Sequence, residues 1–214
     1  MTLARKRYLA LALVSLIAAC GNSENRGEVG KQAAAMLKAR IGKSEAQAPP
    51  TREQLRAAIT PEFREQTGNV PLLLVSSIRV PVTSIMTRFA VNGDVETYLT
   101  PDQISFSLKS GILISSRGLG NDLVSANIDG VLPRIQAGSG RAVRVHRYLN
   151  GENQEIQHRF DCTYTHPETE VIESCEGVNM AFTNRYGLDP SGRIIKSVQW
   201  VSPGLKHYLI ESIQ

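Results

Sequence analysis

The chain has 214 residues and a formal charge of +4, from 24 basic and 20 acidic side chains. Arg5, Lys6 and Arg7 supply three of those basic groups from the first nineteen residues, which hold no acid; beyond them the balance is 21 against 20, about +1. Net charge therefore gives no argument for nucleic-acid binding, and the remaining 195 or so residues suffice for one domain with one core.

Residues 1–19 read as a lipoprotein signal peptide. A basic head at Arg5-Lys6-Arg7 precedes about a dozen largely apolar residues, Tyr8 to Ala19, and then the lipobox-like string Leu16-Ile17-Ala18-Ala19-Cys20. The apolar run is well short of the roughly 20 residues a membrane-spanning helix needs. In lipoproteins of this type the Cys20 thiol takes a diacylglycerol, cleavage follows Ala19 and the new amine is acylated. Each buried methylene of such an anchor contributes about 0.8 kcal/mol. Gly21 and Asn22, rather than an aspartate, follow the cysteine, which resembles lipoproteins sorted to the outer membrane. The expected location is the outer membrane's periplasmic face, with the membrane itself as a partner through the anchor and nucleic acid excluded by export.

Residues 20–30 lack apolar periodicity and read as a lipidated tether. Residues 31–66 read as a helical segment. Val29, Ala33, Met36, Leu37 and Ile41 recur at helical spacing, Pro49-Pro50 interrupts, and Thr51-Arg52-Glu53-Gln54 resembles a capping box opening a second helix through about Ile59. Pro61 is expected to end it.

Residues 67–214 change to a strand grammar. Runs at Leu72 to Val80, Ser84 to Val91, Val95 to Leu99, Ile104 to Leu108 and Ile112 to Ser115 are separated by turn residues such as Asn92-Gly93-Asp94 and Ser110-Gly111. Gly118 to Gly140 reads as one or two short helices. Strands resume at Ala142 to Leu149, Ile156 to Tyr164, Val171 to Cys175, Val178 to Tyr186, Arg193 to Val201 and His207 to Ile213. The predicted fold is mainly β: a single curved antiparallel sheet, a half-barrel or barrel-like meander of about ten strands, with short N-terminal and mid-chain helices.

With Cys20 consumed by lipidation, Cys162 and Cys175 remain in a compartment that oxidises thiols. A hairpin turning at Glu168-Thr169 pairs Tyr164 with Glu173 and Cys162 with Cys175, close enough for a disulfide. Two free buried thiols, or a metal pair lacking any CxxC or matching histidine spacing, are the alternatives.

Catalytic patterns are weak. Gly118-Leu119-Gly120 lacks the third glycine of a dinucleotide loop, since position 123 is Leu123. His146, His158, His166 and His207 have no ligand spacing, and Ala137-Gly138-Ser139-Gly140-Arg141 is no nucleophile elbow. Glu168, Glu170, Glu173 and Glu176 read as a solvated face. Tyr186 and Trp200 flank the Asp189–Gly192 turn and, if their strands pair, gather aromatic and amide groups on a β surface of the kind that binds sugars. A core position for the tryptophan is the plainer alternative.

Arg117-Gly118-Leu119-Gly120-Asn121-Asp122-Leu123, Thr183-Asn184-Arg185-Tyr186 and Gln199-Trp200-Val201-Ser202-Pro203 together resemble the YjbF family of lipoproteins, the group 4 capsule polysaccharide type (YjbF/GfcB). The lipobox, the Asn92-Gly93-Asp94 turn, Arg147-Tyr148-Leu149 and the late cysteine pair extend the likeness over most of the chain. The resemblance implies an outer-membrane lipoprotein of extracellular polysaccharide production or export, acting beside other exported proteins, with no established enzymatic site; no cofactor is expected. Arg117, Asp122, Arg185, Tyr186 and Trp200 are the candidate contacts for polysaccharide or for export-system proteins. A half-barrel carrier of lipid or acylated ligands and a polysaccharide-modifying enzyme are the alternatives.

Overall fold

The structure is a computed structural model that describes residues 48–149, 152 and 154–213. The signal segment, Cys20, the tether and the amphipathic stretch from Val29 to Ile41 lie outside the described residues. Helix α1 (Arg52–Ala58) opens on the capping box: Thr51 Oγ1 accepts the Gln54 N–H and the Gln54 side chain accepts the Thr51 N–H. Pro61 does not end this helix, which has stopped at Ala58; it is the first residue of another, α2 (Pro61–Gln66), capped by Thr60. Proline suits that position, because its φ is preset and its missing N–H would have no intrahelical partner there. Leu55 packs with Leu72, Leu74 and Ile85, joined by Ile59 and Phe63, so both helices cover the outer wall of the sheet.

Twelve strands form one antiparallel sheet, nearly closed into a barrel. They are β1 (Leu72–Ser77), β2 (Thr83–Asn92), β3 (Val95–Leu99), β4 (Ser105–Lys109), β5 (Ile112–Arg117), β6 (Leu123–Asn127), β7 (Gly140–Leu149), β8 (Glu155–Thr165), β9 (Val171–Gly177), β10 (Met180–Leu188), β11 (Ile194–Ser202) and β12 (Lys206–Ile213). Their spatial order is β5-β4-β3-β2-β1-β12-β11-β10-β9-β8-β7-β6. The two edges, β5 and β6, are thus consecutive in the chain. The region expected to be helical holds β6 and one helix, α3 (Val131–Ala137). Gly118 and Gly120, at φ +91° and +86°, reverse the chain, so that Leu123 enters the interior on a strand rather than a helix.

Side chains, not a ladder, bridge the β5–β6 seam. Ser116 Oγ donates to Asp122 (2.7 Å) and accepts the Leu123 N–H (3.1 Å). Arg117 donates to the carbonyls of Ser116, Leu123 and Val124. Arg117 and Asp122 therefore staple an edge that would otherwise leave strand groups unpaired.

Because the strands alternate in direction, the connections divide between two ends of the barrel. The helix end holds α3 and the β2–β3, β4–β5, β8–β9 and β10–β11 turns; the loop end holds the β1–β2, β3–β4, β5–β6, β7–β8, β9–β10 and β11–β12 connections. Across the interior, the Gln199 side chain on β11 accepts the Leu113 N–H and donates to the Gly111 carbonyl, both at 2.8 Å. This tie draws β5 inward. A Cβ at Gly111 would lie 2.9 Å from that of Ile194, so glycine is required for the approach. Ile112 and Leu113 then face two different clusters. One gathers Leu73, Tyr98, Phe106, Leu108 and Ile210; the other gathers Val131, Ile135, Phe160, Phe182, Tyr186 and Trp200.

Candidate functional site

The second cluster contains a buried ionic network. Cys162 and Cys175 are opposed in the β8–β9 ladder and joined by a disulfide. Strand alternation places Tyr164 and Glu173, two residues away on each strand, on the same inward face. Glu173 is fully buried, which corrects the expectation of a solvated acidic face at this position, whereas Glu168 and Glu176 are exposed. Arg144 on β7, also buried, donates through Nε to Glu173 at 2.8 Å and through a terminal nitrogen to Tyr186 Oη at 2.9 Å. Tyr164 and Arg144 meet one carboxylate oxygen, while Asn184 (2.7 Å) and Tyr186 (2.8 Å) meet the other.

Burial alone would raise the Glu173 pKa, but Arg144 and the three neutral donors outweigh it and hold the carboxyl below its ordinary value. Four donors occupy its lone pairs, leaving no position from which it can take a substrate proton. Asn184 continues the network, its Oδ1 accepting the Trp200 N–H at 2.7 Å.

Beside it runs a second chain. Trp200 Nε1 donates to Tyr148 Oη at 3.1 Å, and that hydroxyl lies 2.9 Å from His146 Nδ1. The assignment that leaves fewest groups unpaired has Tyr148 donating to Nδ1, which puts the His146 proton on Nε2. That nitrogen is buried without a partner, on a ring stacked against Phe182. Burial first, then the nearby charges of Arg144 and His158, push His146 well below its ordinary pKa.

On the other side of β5 lies a cavity of about 330 Å³ opening at the helix end. Its floor is Leu73, Tyr98, Leu108 and Ile210, and its rim includes Gln136, Arg193 and Lys196. Glu96 is its one carboxylate, held by Arg88 (2.7 Å) and by the Tyr98 hydroxyl (3.2 Å). The volume falls at the lower end of ligand pockets, which run about 300–1,000 Å³ and favour the mouths of β-barrels.

The structure does not bring the five candidate contacts together. Arg117 and Asp122 sit at the seam. Tyr186 is fully buried and Trp200 is 6% exposed, so the expected aromatic surface at β10–β11 is interior, while Arg185, like Arg117 at the seam, is exposed. Pairing of β10 with β11 is present, with Tyr186 opposite Ser197. A bulge between Trp200 and Ser202 accompanies the burial of the indole. Sequence reading missed Arg144 and placed the amides of Asn184 and Gln199 on a β surface, whereas both are buried; a charged or amide residue in an alternating strand reads as outward, and nothing local marks the exception. For Glu173 a signal existed, since the cysteine register already fixes its side of the sheet.

A family model described as group 4 capsule polysaccharide lipoprotein gfcB, YjbF, matches residues 53–213, from α1 to the end of β12. The chain belongs to the YjbF family. Among solved structures, the hypothetical lipoprotein YmcC from Escherichia coli (K12) aligns with a TM-score of 0.61 over 81% of this chain and 97% of that one. The two are 13% identical, so the likeness shows a common fold. No curated protein matches in sequence. As a member of the YjbF family, the protein belongs with membrane-anchored lipoproteins; among the described residues no helix is long and apolar enough to cross a membrane. The outer wall of this YjbF domain exposes Arg159, Asp161, Glu176 and Arg185, where a spanning barrel carries an apolar band.

Proposed function

We propose that this YjbF-family protein is a non-enzymatic accessory of capsular or extracellular polysaccharide production or export, held by lipidated Cys20 at the periplasmic face of the outer membrane. The family match over residues 53–213 carries this reading. The lipobox and the Gly21-Asn22 pair support the anchor and its destination. An accessory role is also supported by the saturated hydrogen bonding of Glu173 and by a cavity with a single, already paired carboxylate, Glu96. Glycoside hydrolysis by the usual route needs two carboxyl groups flanking the bond.

Deleting the gene and restoring it as wild type or as Cys20→Ala tests the proposal by surface and secreted polysaccharide. A fall on deletion, reversed by the wild type alone, is the expected result. Unchanged polysaccharide in a strain that makes the native protein would overturn it. A second reading, a carrier of acylated ligands, draws on the apolar cavity floor; a lipid extracted from the purified protein would favour it.

A further inference from the structure

Among the described residues nine large apolar side chains are exposed, and six of them gather at the loop end. Ile78, Val80 and Val82 in the β1–β2 loop are 58%, 48% and 50% exposed, and Val178 in the β9–β10 turn is 84% exposed. Leu149 and Ile156 flank the β7–β8 connection at 54% and 42%. All six belong to the loop end; the other three, Phe89, Val91 and Ile195, lie on strands β2 and β11 towards the helix end, whose Asn92-Gly93-Asp94 and Asp189–Gly192 turns are themselves polar. Strand β1, expected to reach Val80, stops at Ser77 and releases Ile78-Arg79-Val80-Pro81-Val82 as a loop.

From these observations we infer that the loop end rests on an anionic phospholipid bilayer, with Ile78, Val80, Val82 and Val178 entering the boundary between headgroups and acyl chains. Two further features point to lipid. The β1–β2, β9–β10 and β11–β12 connections hold no carboxylate, and Arg79 and Lys206 stand among their apolar tips. Arg79 is fixed there by donation to the Gly204 carbonyl at 2.7 Å. The acids of this end lie at Asp102, Asp122 and Glu152 in other connections and at two strand ends, Glu155, which pairs with Arg147, and Glu176, two residues before Val178. Apolar tips interleaved with cations are the composition of an interfacial contact, which buries side chains about 5–10 Å deep and draws on anionic lipid.

The position of the tether agrees. The described chain begins at Ala48, and Arg52, at the start of α1, donates to Ser76 Oγ at 2.8 Å, two residues from Ile78. Arg52 also donates to Glu211, opposite Leu74, whereas Arg64 of α2 reaches the Val70 and Ile213 carbonyls, so the described chain enters over the outer wall of β1 and β12 nearer the loop end than α2. Positions 21–47 could extend to about 90 Å at roughly 3.3–3.6 Å per residue, so the anchor alone would not orient the barrel. The apolar loop end does so, turning the cavity at the opposite end away from the membrane.

The inference rests on the anchored reading for its setting, but its test is independent of the anchor. The chain from residue 20 on, carrying Cys20→Ala and an intact disulfide, is sedimented with vesicles of phosphatidylglycerol and phosphatidylcholine in a one-to-three ratio, and with phosphatidylcholine alone. Binding to the mixed vesicles is expected. Val80→Ser with Val82→Ser should weaken it roughly tenfold or more, because two half-exposed valines lose their burial. Arg79→Gln, which keeps a donor for Gly204, should cost roughly fivefold on the anionic vesicles only. All three positions are solvent-exposed, and an unchanged urea midpoint verifies folding.

No sedimentation with either vesicle, or equal binding by the double-valine variant, would overturn the lipid contact. So would a double-valine variant that binds vesicles normally yet loses polysaccharide in cells, which would assign the tips to a protein partner. Each of these results leaves the polysaccharide test of the anchored chain standing on its own.

Discussion

Tyr164 and Glu173 face each other across the β8–β9 ladder, and the tyrosine hydroxyl donates to the carboxylate at 2.5 Å, two residues inward from the disulfide. This pair joins the covalent staple of the domain to its buried ion pair. Arg144, Asn184 and Tyr186 close the arrangement from β7 and β10, so four consecutive strands in space converge on one carboxylate.

Glu173→Gln should destabilise the domain by about 3–5 kcal/mol, because it strands the Arg144 guanidinium in the interior. Arg144→Met with Glu173→Leu should cost much less than the two single changes added together. Urea unfolding of Glu173→Gln, of the double variant and of its two single components against the wild type checks this, and additive losses in the double variant would contradict it.

Removing the disulfide by Cys162→Ala with Cys175→Ala should cost up to about 3 kcal/mol, since the bridged residues are 13 apart in sequence. Urea midpoints of the wild type with and without reductant should reproduce the difference, with the double alanine variant insensitive to reductant.

Acid should destabilise the fold in two steps. His146 is held neutral below its unfolded value near 6.5, and His207 is shifted the same way by burial. The unfolded chain therefore binds protons that the folded chain refuses, and stability falls as pH drops below about 6.5. Glu173, depressed below 4.5, adds stability that is present above that value and lost as pH falls through its folded pKa. Urea midpoints measured between pH 8 and pH 4 should decline from about pH 6.5 in the wild type. The same curve should be nearly flat down to about pH 5 for His146→Gln with His207→Gln.

Arg117→Ala removes the donors to the Ser116, Leu123 and Val124 carbonyls and should loosen the seam at a cost of about 1–3 kcal/mol. Hydrogen exchange should quicken selectively in β5 and β6, while β8 and β9 keep their protection. A uniform change across the barrel would contradict a local seam.

The sequence by itself determined the signal pattern, the capping box at Thr51, the meander of strands and the register that opposes Cys162 to Cys175. These are local: hairpin parity, turn residues and side chain-to-backbone caps act within a dozen positions. The inward turn of Glu173 was implicit in that same parity, because it lies two residues from a buried cysteine. Tertiary structure alone decided the rest. Arg144 meets Glu173 across 29 positions and Gln199 meets Leu113 across 86, and no local pattern encodes partners so far apart. The closing of β1 against β12, which gathers six loops and their apolar tips at one end, likewise arises only when the whole sheet curls, since burying one face of twelve strands requires them to wrap around it.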